Sequence, residues 1–283
     1  MSAPRVSICL PVWNGERHLA RLLPALARQE IAGGSEIVAV DSGSQDRSRE
    51  LLVQAGARVE RIQPFEFGHG RTRNQLARMA RGERLVFLSQ DALPRDPVTI
   101  AILAGALDDE RTAGAFARVL PGPDEDPLSA RTVLDHADAS AEPWVGEPGT
   151  SEVRFNDVAS CVRRETLLAL PFPDVEFGED VAWARLALEA GWRIRFEPRA
   201  VVLHAHRYTP TEAFERYRVD AAFQREHRGR IVRPHVLSML KGIAHELRRD
   251  VAYVARHGGW VHLVRAPMLR IAQVRGQRAG SRA

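Results

Sequence analysis

The chain has 283 residues, of which 45% are hydrophobic, so it can bury one full domain core with a smaller appendage. Its formal net charge is +4. No apolar run approaches the roughly 18 residues of a membrane-spanning helix, and the N-terminus lacks a signal-peptide pattern, so we expect a soluble or peripheral, cytoplasmic protein. Cys9 and Cys161 lie in apolar surroundings without metal-ligand spacing, which predicts reduced core cysteines.

The charge is unevenly distributed along the chain. Residues 211–283 hold fifteen Lys or Arg and six Asp or Glu, a net charge of +9, whereas residues 1–210 carry a net charge of −5. A basic block on a mildly acidic body suggests an anionic partner, either a membrane surface or a nucleic acid.

Strands and helices alternate over the first sixty residues. The apolar periodicity predicts strands at 6–12, 36–40 and 58–62, and helices at 16–29 and 46–55. This order implies a parallel sheet with right-handed crossovers.

A helix predicted at 71–80 leads to the apolar run 85–88, which ends at Asp91. Such a run suggests a strand buried on both faces, and Pro94 is expected to stop it. Ligands of open α/β sheets bind beyond the carboxyl ends of the strands. Asp91 is therefore a candidate to hold a metal or a polar substrate, although an Asp that begins a turn would look the same.

The next region is less regular. A helix over 96–107 and a strand over 114–119 precede residues 121–151, whose Pro, Gly, Asp and Glu content suggests a mobile lid or part of an acceptor site. Further predicted elements are a strand at 155–163, a helix after it, a helix at 179–190, and short strands at 193–196 and 201–203.

Beyond Thr211 the sequence predicts helices only. Apolar residues recur every three or four positions over 236–254 and 260–274, with arginines off that face and Trp260 on it. A basic amphipathic helix with Trp can lie in a membrane interface. A helical cap with a solvated Arg face explains the pattern equally well.

Polar side chains lie at the ends of several predicted strands, and a parallel sheet would gather most of them at one edge. They are Asn14, Glu16, Asp41, Asp91, Asp157, His204 and His206. Each has an ordinary explanation as a turn residue, a helix cap or a surface histidine. Together, carboxylates and imidazoles without Cys would suit Mg²⁺ or Mn²⁺ better than zinc.

Two further groups could bear on chemistry. Glu179 and Asp180 stand at a predicted helix N-terminus, where the dipole favours them and where a partly desolvated carboxylate could act as a general base. Arg71 and Arg73 begin another helix and could face a diphosphate, although Arg on a helix surface is usually only solvated.

Several short motifs occur in a fixed order along the chain. They are Pro11-Val12-Trp13-Asn14, Val40-Asp41-Ser42-Gly43-Ser44, Gly70-Arg71-Thr72-Arg73-Asn74, Phe87-Leu88-Ser89-Gln90-Asp91-Ala92, Gly178-Glu179-Asp180 and His204. In this order the chain resembles the family 2 glycosyltransferases, over about residues 5–207, and most closely the bacterial rhamnosyltransferase subgroup. The resemblance implies an α/β GT-A fold over residues 1–207, with a mostly parallel central sheet flanked by helices. Residues 208–283 would form a basic helical extension.

The resemblance also implies roles for individual residues. The donor-site residues would be Pro11, Asn14 and Glu16 near the nucleoside, Asp41 on the base, Arg73, Asn74 and Gln90 beside the donor, and Arg71 within reach of phosphate. Asp180, or with less support Glu179, would be the catalytic base that deprotonates the acceptor hydroxyl. Asp91 takes the second position of the family's DxD metal motif, and His204 or His206 would complete a Mg²⁺ or Mn²⁺ site.

Ser89 departs from the family pattern, because it stands where the first Asp of DxD is usual. A single Asp supplies less charge, so the diphosphate of the donor would provide more of the coordination. The implied reaction is an inverting transfer from a nucleoside-diphosphate sugar, with rhamnose suggested by the subgroup, to a hydroxyl of a glycan or lipid-linked acceptor.

Other functions remain compatible with parts of the sequence. The basic tail would suit a nucleic-acid-binding protein, but aromatic residues are only 6% of the chain and no RNP-like or zinc-finger pattern occurs. Ser89 would suit a catalytically weak nucleotide-sugar-binding protein. A nucleotidyltransferase would need a Gly-rich N-terminal loop that is missing. For the transferase, the tail could dock on the anionic inner face of the plasma membrane, near cell-envelope acceptors.

Overall fold

A computed structural model describes residues 5–233 and 235–282, apart from the side chains of residues 227 and 228. The chain divides into two compact units. The first, residues 5–120 and 137–204, contains the sheet. The second, residues 121–136 and 205–282, is helical. The predicted functional boundary after residue 207 stays a prediction.

The described part of the first unit contains a nine-stranded sheet. The strands are β1 (Val6–Val12), β2 (Ser35–Asp41), β3 (Arg58–Arg61), β4 (Arg84–Leu88), β5 (Leu93–Pro94), β6 (Thr112–Leu120), β7 (Trp144–Gly146), β8 (Ala159–Arg163) and β9 (Arg193–Leu203). Their order is β3-β2-β1-β4-β8-β6-β9-β5, and β7 pairs with β9.

The strand directions bring the ends of several strands to one edge of the mixed sheet. β1 is parallel to β2 and β4, and β2 is parallel to β3. Because β8 is antiparallel to both β4 and β6, β6 runs in the same direction as β4, and β9 is parallel to β6. The carboxyl ends of β1, β2, β4, β6 and β9, and the amino end of β8, therefore meet at one edge, called here the carboxyl edge.

The helices are distributed over both units. They are α1 (Glu16–Ala27), α2 (Ser48–Gln54), α3 (His69–Met79), α4 (Thr99–Gly105), α5 (Pro127–Leu134), α6 (Arg164–Ala169), α7 (Glu179–Glu189), α8 (Pro210–Arg228), α9 (Val236–His257) and α10 (Ala266–Gly280). α5 and α8–α10 belong to the second unit. Among the described residues, no helix combines the length and the low polarity that crossing a bilayer requires.

The core of the first unit lies between the sheet and its helices. The four residues 85–88 of β4 are fully buried, as expected for a strand covered on both faces. On α7, the fully buried Trp183 packs against Phe155 and Phe172 at ring-centroid distances of 5.2 and 5.4 Å. Its Nε1 donates to Leu170 O at 2.9 Å. This large side chain anchors the first turns of α7.

Residues 121–151, predicted to be a mobile lid or part of an acceptor site, contain regular secondary structure, and their role stays a prediction. The stretch contains α5, a 3₁₀ turn at Ala137–Ala139 and β7. Asp126 Oδ1 accepts the N–H groups of Leu128 and Ser129 at 3.1 and 3.3 Å. An Asp cap followed by Pro in the first turn is a helix start, so these residues begin α5 instead of forming an open loop.

Two predictions about strand ends are corrected. Pro94 does not stop pairing, because Leu93 and Pro94 form β5 against β9. β5 is an edge strand, where proline is tolerated. The two short strands predicted at 193–196 and 201–203 are one strand, β9. The polar segment between them contains the buried Glu197, which is paired with Arg195 and Arg199 at 3.2 and 2.8 Å.

In the second unit α8 and α10 lie in close backbone contact. A Cβ atom at Gly276 would overlap the carbonyl oxygen of Phe214, and one at Gly280 would overlap that of Arg218. Both positions therefore need glycine if the two backbones are to keep this separation.

A buried ionic network also lies in the second unit. Asp250 of α9 is fully buried between Arg131 of α5 and Arg270 of α10. Its Oδ1 accepts from both guanidinium groups, at 2.7 Å from Arg131 Nε and 2.8 Å from Arg270 Nη2. Glu246 adds a second acceptor for Arg131 at 2.6 Å. These charges compensate one another and connect three helices.

Candidate functional site

Three loops at the carboxyl edge are joined by hydrogen bonds between side chains and backbone. Gln90, after β4, accepts the N–H of Trp13 at 3.0 Å and donates to its carbonyl at 3.1 Å. Asn14, after β1, accepts the N–H of Gln45 at 2.9 Å and donates its own N–H to Ser44 Oγ at 2.8 Å. The loops after β1, β2 and β4 therefore form one continuous rim.

The acidic donor-site candidates belong to the same rim. Asp41, at the end of β2, is buried, and its Oδ1 accepts the N–H of Ser44 at 3.1 Å. The N–H of Glu16 donates to Asp46 Oδ2 at 3.0 Å. Pro11 lies within β1 opposite Val40 of β2. The structure thus brings Pro11, Asn14, Glu16, Asp41 and Gln90 to neighbouring positions, and Asn14, Asp41 and Gln90 stabilise the loops through side-chain hydrogen bonds.

Arg73 of α3 is surrounded by acidic groups in the interior. Its side chain is only 7% exposed, and Nη1 donates to Glu179 Oε1 at 2.5 Å. Its Nε lies 3.1 Å from Asp157 Oδ2, in an ion pair without hydrogen-bond alignment. Asp157 also accepts the hydroxyl of Ser160 at 2.5 Å. One guanidinium thus faces two buried carboxyl groups.

Asp180 lies beside this cluster in the first turn of α7 and is less buried than Glu179. Its Oδ2 accepts the N–H of Asp157 at 3.3 Å, and its Oδ1 accepts the N–H of Val181 at 2.7 Å. Gly178, which precedes α7, has a left-handed φ of 78°, a conformation that glycine adopts at little cost. This turn sets the two consecutive carboxylates at the start of the helix.

The pKa values of the three carboxyl groups are raised. Burial raises the pKa of Asp157 to about 6, although Arg73 acts in the opposite direction. Burial, together with the negative charge of Glu179, raises the pKa of Asp180 to about 6. Burial also raises the pKa of Glu179. Protons in such a cluster are shared, and a carboxylate that titrates near 6 is suited to accept a proton from a hydroxyl near neutral pH.

The other two candidates on α3 contact the segment that leads into α7. The side-chain amide of Asn74 donates to Phe172 O at 2.8 Å and accepts its N–H at 2.9 Å. Arg71 is 54% exposed and lies 3.3 Å from Asp174. α3 therefore contacts this segment at Phe172 and Asp174, while the donor-site roles of Arg71, Arg73 and Asn74 stay predictions.

Asp91 and His204 come together at the carboxyl edge. His204 Nε2 lies 3.4 Å from Asp91 Oδ1, with side-chain exposures of 9% and 18%. The N–H of His204 donates to Leu120 O at 2.9 Å, which fixes the start of the segment after β9. A carboxylate oxygen and an imidazole nitrogen are donor atoms that can bind a divalent cation. The other predicted histidine, His206, belongs to the second unit, where its ring lies 5.2 Å from that of Tyr208.

The sequence indicated Asp157 only as one of the polar side chains expected at the edge of the sheet, and it gave no sign of a role for Ser160. In the structure these residues connect the amino end of β8 to Arg73 and Asp180. In the sequence, the available signal was that Asp157 lies three residues before Ser160, beside an apolar strand. This signal indicates a place at the carboxyl edge only when the antiparallel direction of β8 is known.

The sequence is also similar to known proteins. The model of the family described as glycosyl transferase family 2 matches residues 7–154, just over half of the chain. The chain is 30% identical over 190 residues to the O-antigen chain rhamnosyltransferase WbaN of Salmonella anatum, covering 65% of this chain and 60% of that protein. It is 27% identical over 221 residues to the O-antigen chain rhamnosyltransferase RfbN of Salmonella typhimurium, covering 75% and 70%.

Solved structures give the same fold. The mannosyltransferase PcManGT from Pyrobaculum calidifontis, in complex with GDP-Man and Mn²⁺, superposes with a TM-score of 0.60 at 18% identity, covering 98% of this chain and 86% of that chain. S. aureus TarS 1–349 in complex with UDP-GlcNAc gives a TM-score of 0.56 at 15% identity, covering 96% and 90%. The predicted α/β GT-A fold is confirmed.

Proposed function

The chain belongs to glycosyl transferase family 2, and on that premise we propose that it is an inverting enzyme that moves a sugar from a nucleoside-diphosphate sugar to a hydroxyl of a glycan or lipid-linked acceptor. The observation that carries this proposal is the half-buried Asp180, held at the carboxyl edge beside Arg73, Asp157 and Glu179 with its pKa raised to about 6.

Asp180 is the proposed catalytic base. Its carboxylate takes the proton of the acceptor hydroxyl, while the acceptor oxygen bonds to the anomeric carbon from the face opposite the leaving group. The bond from the anomeric carbon to the diphosphate oxygen breaks, and a nucleoside diphosphate leaves. A single displacement of this kind inverts the anomeric configuration. Glu179 is buried and bound to Arg73, which supports Asp180 over Glu179 as the group that meets the acceptor.

The donor is proposed to bind along the rim made by the loops after β1, β2 and β4. The joined positions of Asn14, Asp41 and Gln90 support this assignment. Rhamnose is the proposed sugar, because two relatives are named rhamnosyltransferases. Their name as O-antigen chain enzymes also supports an envelope glycan as acceptor. We assign the donor chemistry to residues 1–207 and a separate role to the basic residues 208–283.

A divalent cation, Mg²⁺ or Mn²⁺, is proposed to be held by Asp91 and His204, with His206 as the alternative imidazole. The fit rests on the carboxylate and imidazole that lie 3.4 Å apart at the carboxyl edge. When bound, such an ion would neutralise charge on the diphosphate leaving group. Because Ser89 supplies no carboxylate, Asp91 would be the one carboxylate ligand that the loop after β4 provides.

The test compares Asp180→Asn with Glu179→Gln. Transfer from a panel of thymidine, uridine and guanosine diphosphate sugars would be measured as nucleoside diphosphate released in the presence of a bacterial envelope extract. Asp180→Asn should lower turnover about 10²- to 10⁴-fold, the usual contribution of a general base, while thermal stabilisation by the donor persists. Glu179→Gln should keep most of the turnover.

Two results would contradict the assignment. Full turnover in Asp180→Asn would remove Asp180 as the base. Donor binding without any turnover in the unmodified protein would instead support a nucleotide-sugar-binding role, which Ser89 suggests.

A further inference from the structure

The second unit exposes a cluster of large apolar side chains close to the C-terminus. The cluster, called the apolar patch, comprises Trp260, Val261, Val264, Met268 and Ile271, with relative exposures between 42% and 84%. The first three belong to a 3₁₀ turn at Trp260–Val264, and the other two lie on α10. Single exposed apolar residues are ordinary, but five within twelve residues indicate a contact surface.

Spacing along α10 divides this surface into an apolar and a basic part. Met268 and Ile271 are three residues apart, Arg275 follows four residues later on the same side, and Arg282 lies just beyond the end of α10. Both arginines are exposed. The opposite side of α10 carries Gly276 and Gly280 against α8. The outward side therefore changes from apolar to cationic along the helix.

The charge of this segment has one sign, and the acidic Asp126 of the second unit that lies beside it is buried, 3.8 Å from Arg265. Residues 251–283 contain six arginines and no Asp or Glu. Of these arginines, Arg270 is buried and paired with Asp250, whereas Arg256, Arg275 and Arg282 are exposed. A surface of this kind repels a second copy of itself and attracts an anionic partner.

We propose that the apolar patch docks the protein on an anionic lipid bilayer. Trp260, Val261, Val264 and Met268 enter the headgroup region, and Arg275 and Arg282 contact lipid phosphates. The combination of exposed aliphatic groups, Trp and flanking arginines matches the requirements of interfacial binding. The evidence for docking comes from the second unit alone. Docking would also place the enzyme beside a lipid-linked acceptor, and this benefit to catalysis rests on the proposed function.

The experiment measures co-sedimentation of the full chain with vesicles. Wild-type protein should bind vesicles of 30% phosphatidylglycerol in phosphatidylcholine much more tightly than pure phosphatidylcholine, and less tightly as salt rises. Val264→Glu/Met268→Glu should weaken this binding at least about tenfold, because two charges are forced into the headgroup region. Arg275→Gln/Arg282→Gln should weaken it about fivefold per arginine at low salt.

The matched control is Val53→Glu/Leu168→Glu, which changes the same number of exposed apolar residues by the same charge, but in the first unit. It should bind vesicles like wild type. Equal binding of both Glu pairs, or no preference for the anionic vesicles, would overturn the proposal. So would a stable wild-type dimer that Val264→Glu/Met268→Glu dissociates while vesicle binding is unchanged.

Donor-induced thermal stabilisation, measured on the same samples, separates the two proposals. Vesicle binding that fails while the donor still stabilises the protein contradicts only the docking. Vesicle binding that persists when no nucleotide sugar stabilises the protein contradicts only the transferase assignment.

Discussion

Arg73 illustrates how a residue can match a motif and still make unexpected contacts. Its place at a helix start suggested a donor diphosphate as partner, whereas the structure pairs it with Asp157 and Glu179, the latter 106 residues away. A sequence shows that a cation is present but not which distant anions fold against it. The same limit explains why Asp180 could be proposed as the base from its motif while the contacts of Asp157 could not be predicted.

Removing the charge of Arg73 should destabilise the protein. Arg73→Met leaves Asp157 and Glu179 buried without their cation, and we expect the free energy of unfolding to fall by about 3–5 kcal/mol at pH 8. Without Arg73 the folded-state pKa values of both groups rise further above their unfolded values. The contribution of these two groups to stability is therefore lost as pH rises. The loss in free energy of unfolding caused by Arg73→Met should accordingly be smaller at pH 5 than at pH 8.

Urea denaturation at the two pH values measures this effect. The control is Arg71→Met, two residues earlier on α3, because Arg71 is half exposed in its pair with Asp174 and should cost less than about 1 kcal/mol. Equal losses in the two variants, or an Arg73→Met deficit that does not depend on pH, would contradict the buried-cluster description.

The pH dependence of transfer should report the ionisation of Asp180. The base must be deprotonated, so kcat/KM should rise with pH through about 6, the raised pKa of this group. Glu179→Gln removes a negative neighbour that raises this pKa, so the acidic limb should move down by about one pH unit. Initial rates between pH 4.5 and 8 provide the measurement, and an acidic limb that is identical in both proteins would exclude this coupling.

At the scale of elements, the left-handed Gly178 determines where α7 begins. Gly178→Ala should cost about 1–2 kcal/mol, because an L-residue resists this backbone conformation, and it should also displace Glu179 and Asp180. We therefore expect reduced stability and at least about tenfold lower turnover, since small displacements of a base are costly.

The matched control for Gly178 is at the other end of the same helix. Gly191 follows α7 with φ of 92° and open space around a built Cβ. Gly191→Ala should lower the melting temperature similarly and leave turnover close to wild type. A comparable loss of turnover in both variants would show that helix stability, and not the position of the two carboxylates, explains the effect.

The first half of the sheet was predictable because its signals are local. β1, β2 and β3 agree with the predicted strands within about one residue at each end, since apolar runs and intervening helical periods identify them. The direction of β8 and the short strands β5 and β7 were not predictable. Their pairing depends on β4, β6 and β9, which lie far along the chain.

At the scale of the molecule, the composition of the second unit was the least predictable feature. Residues 121–136 have an acidic, Pro-rich composition, yet they belong with the basic C-terminal helices. Two kinds of contact join them: Arg131 is bound to Asp250, 119 residues later, and Leu128 packs against Ala213, Ala266 and Leu269. A charge count by segment separates these regions, whereas the fold joins them through buried ion pairs and apolar packing.

Donor binding should stabilise the whole protein by mass action. A nucleotide sugar at one hundred times its Kd adds about 2.7 kcal/mol to the free energy of unfolding, which thermal denaturation detects. We expect the stabilisation by the preferred nucleotide sugar to increase with Mn²⁺, and Asp91→Asn to lose the Mn²⁺-dependent part only. The hypothesis fails if no nucleotide sugar raises the melting temperature, or if Asp91→Asn retains the full response to Mn²⁺.

The two glycines of α10 determine which side of that helix can face outward. One residue inserted or deleted between Ala266 and Gly276 would rotate the remainder of the helix by about 100°. Both glycines would then leave Phe214 and Arg218 together, and bulkier side chains would separate α8 from α10. The rotational phase of α10 is therefore fixed, and differences in chain length among related proteins should occur outside residues 266–280.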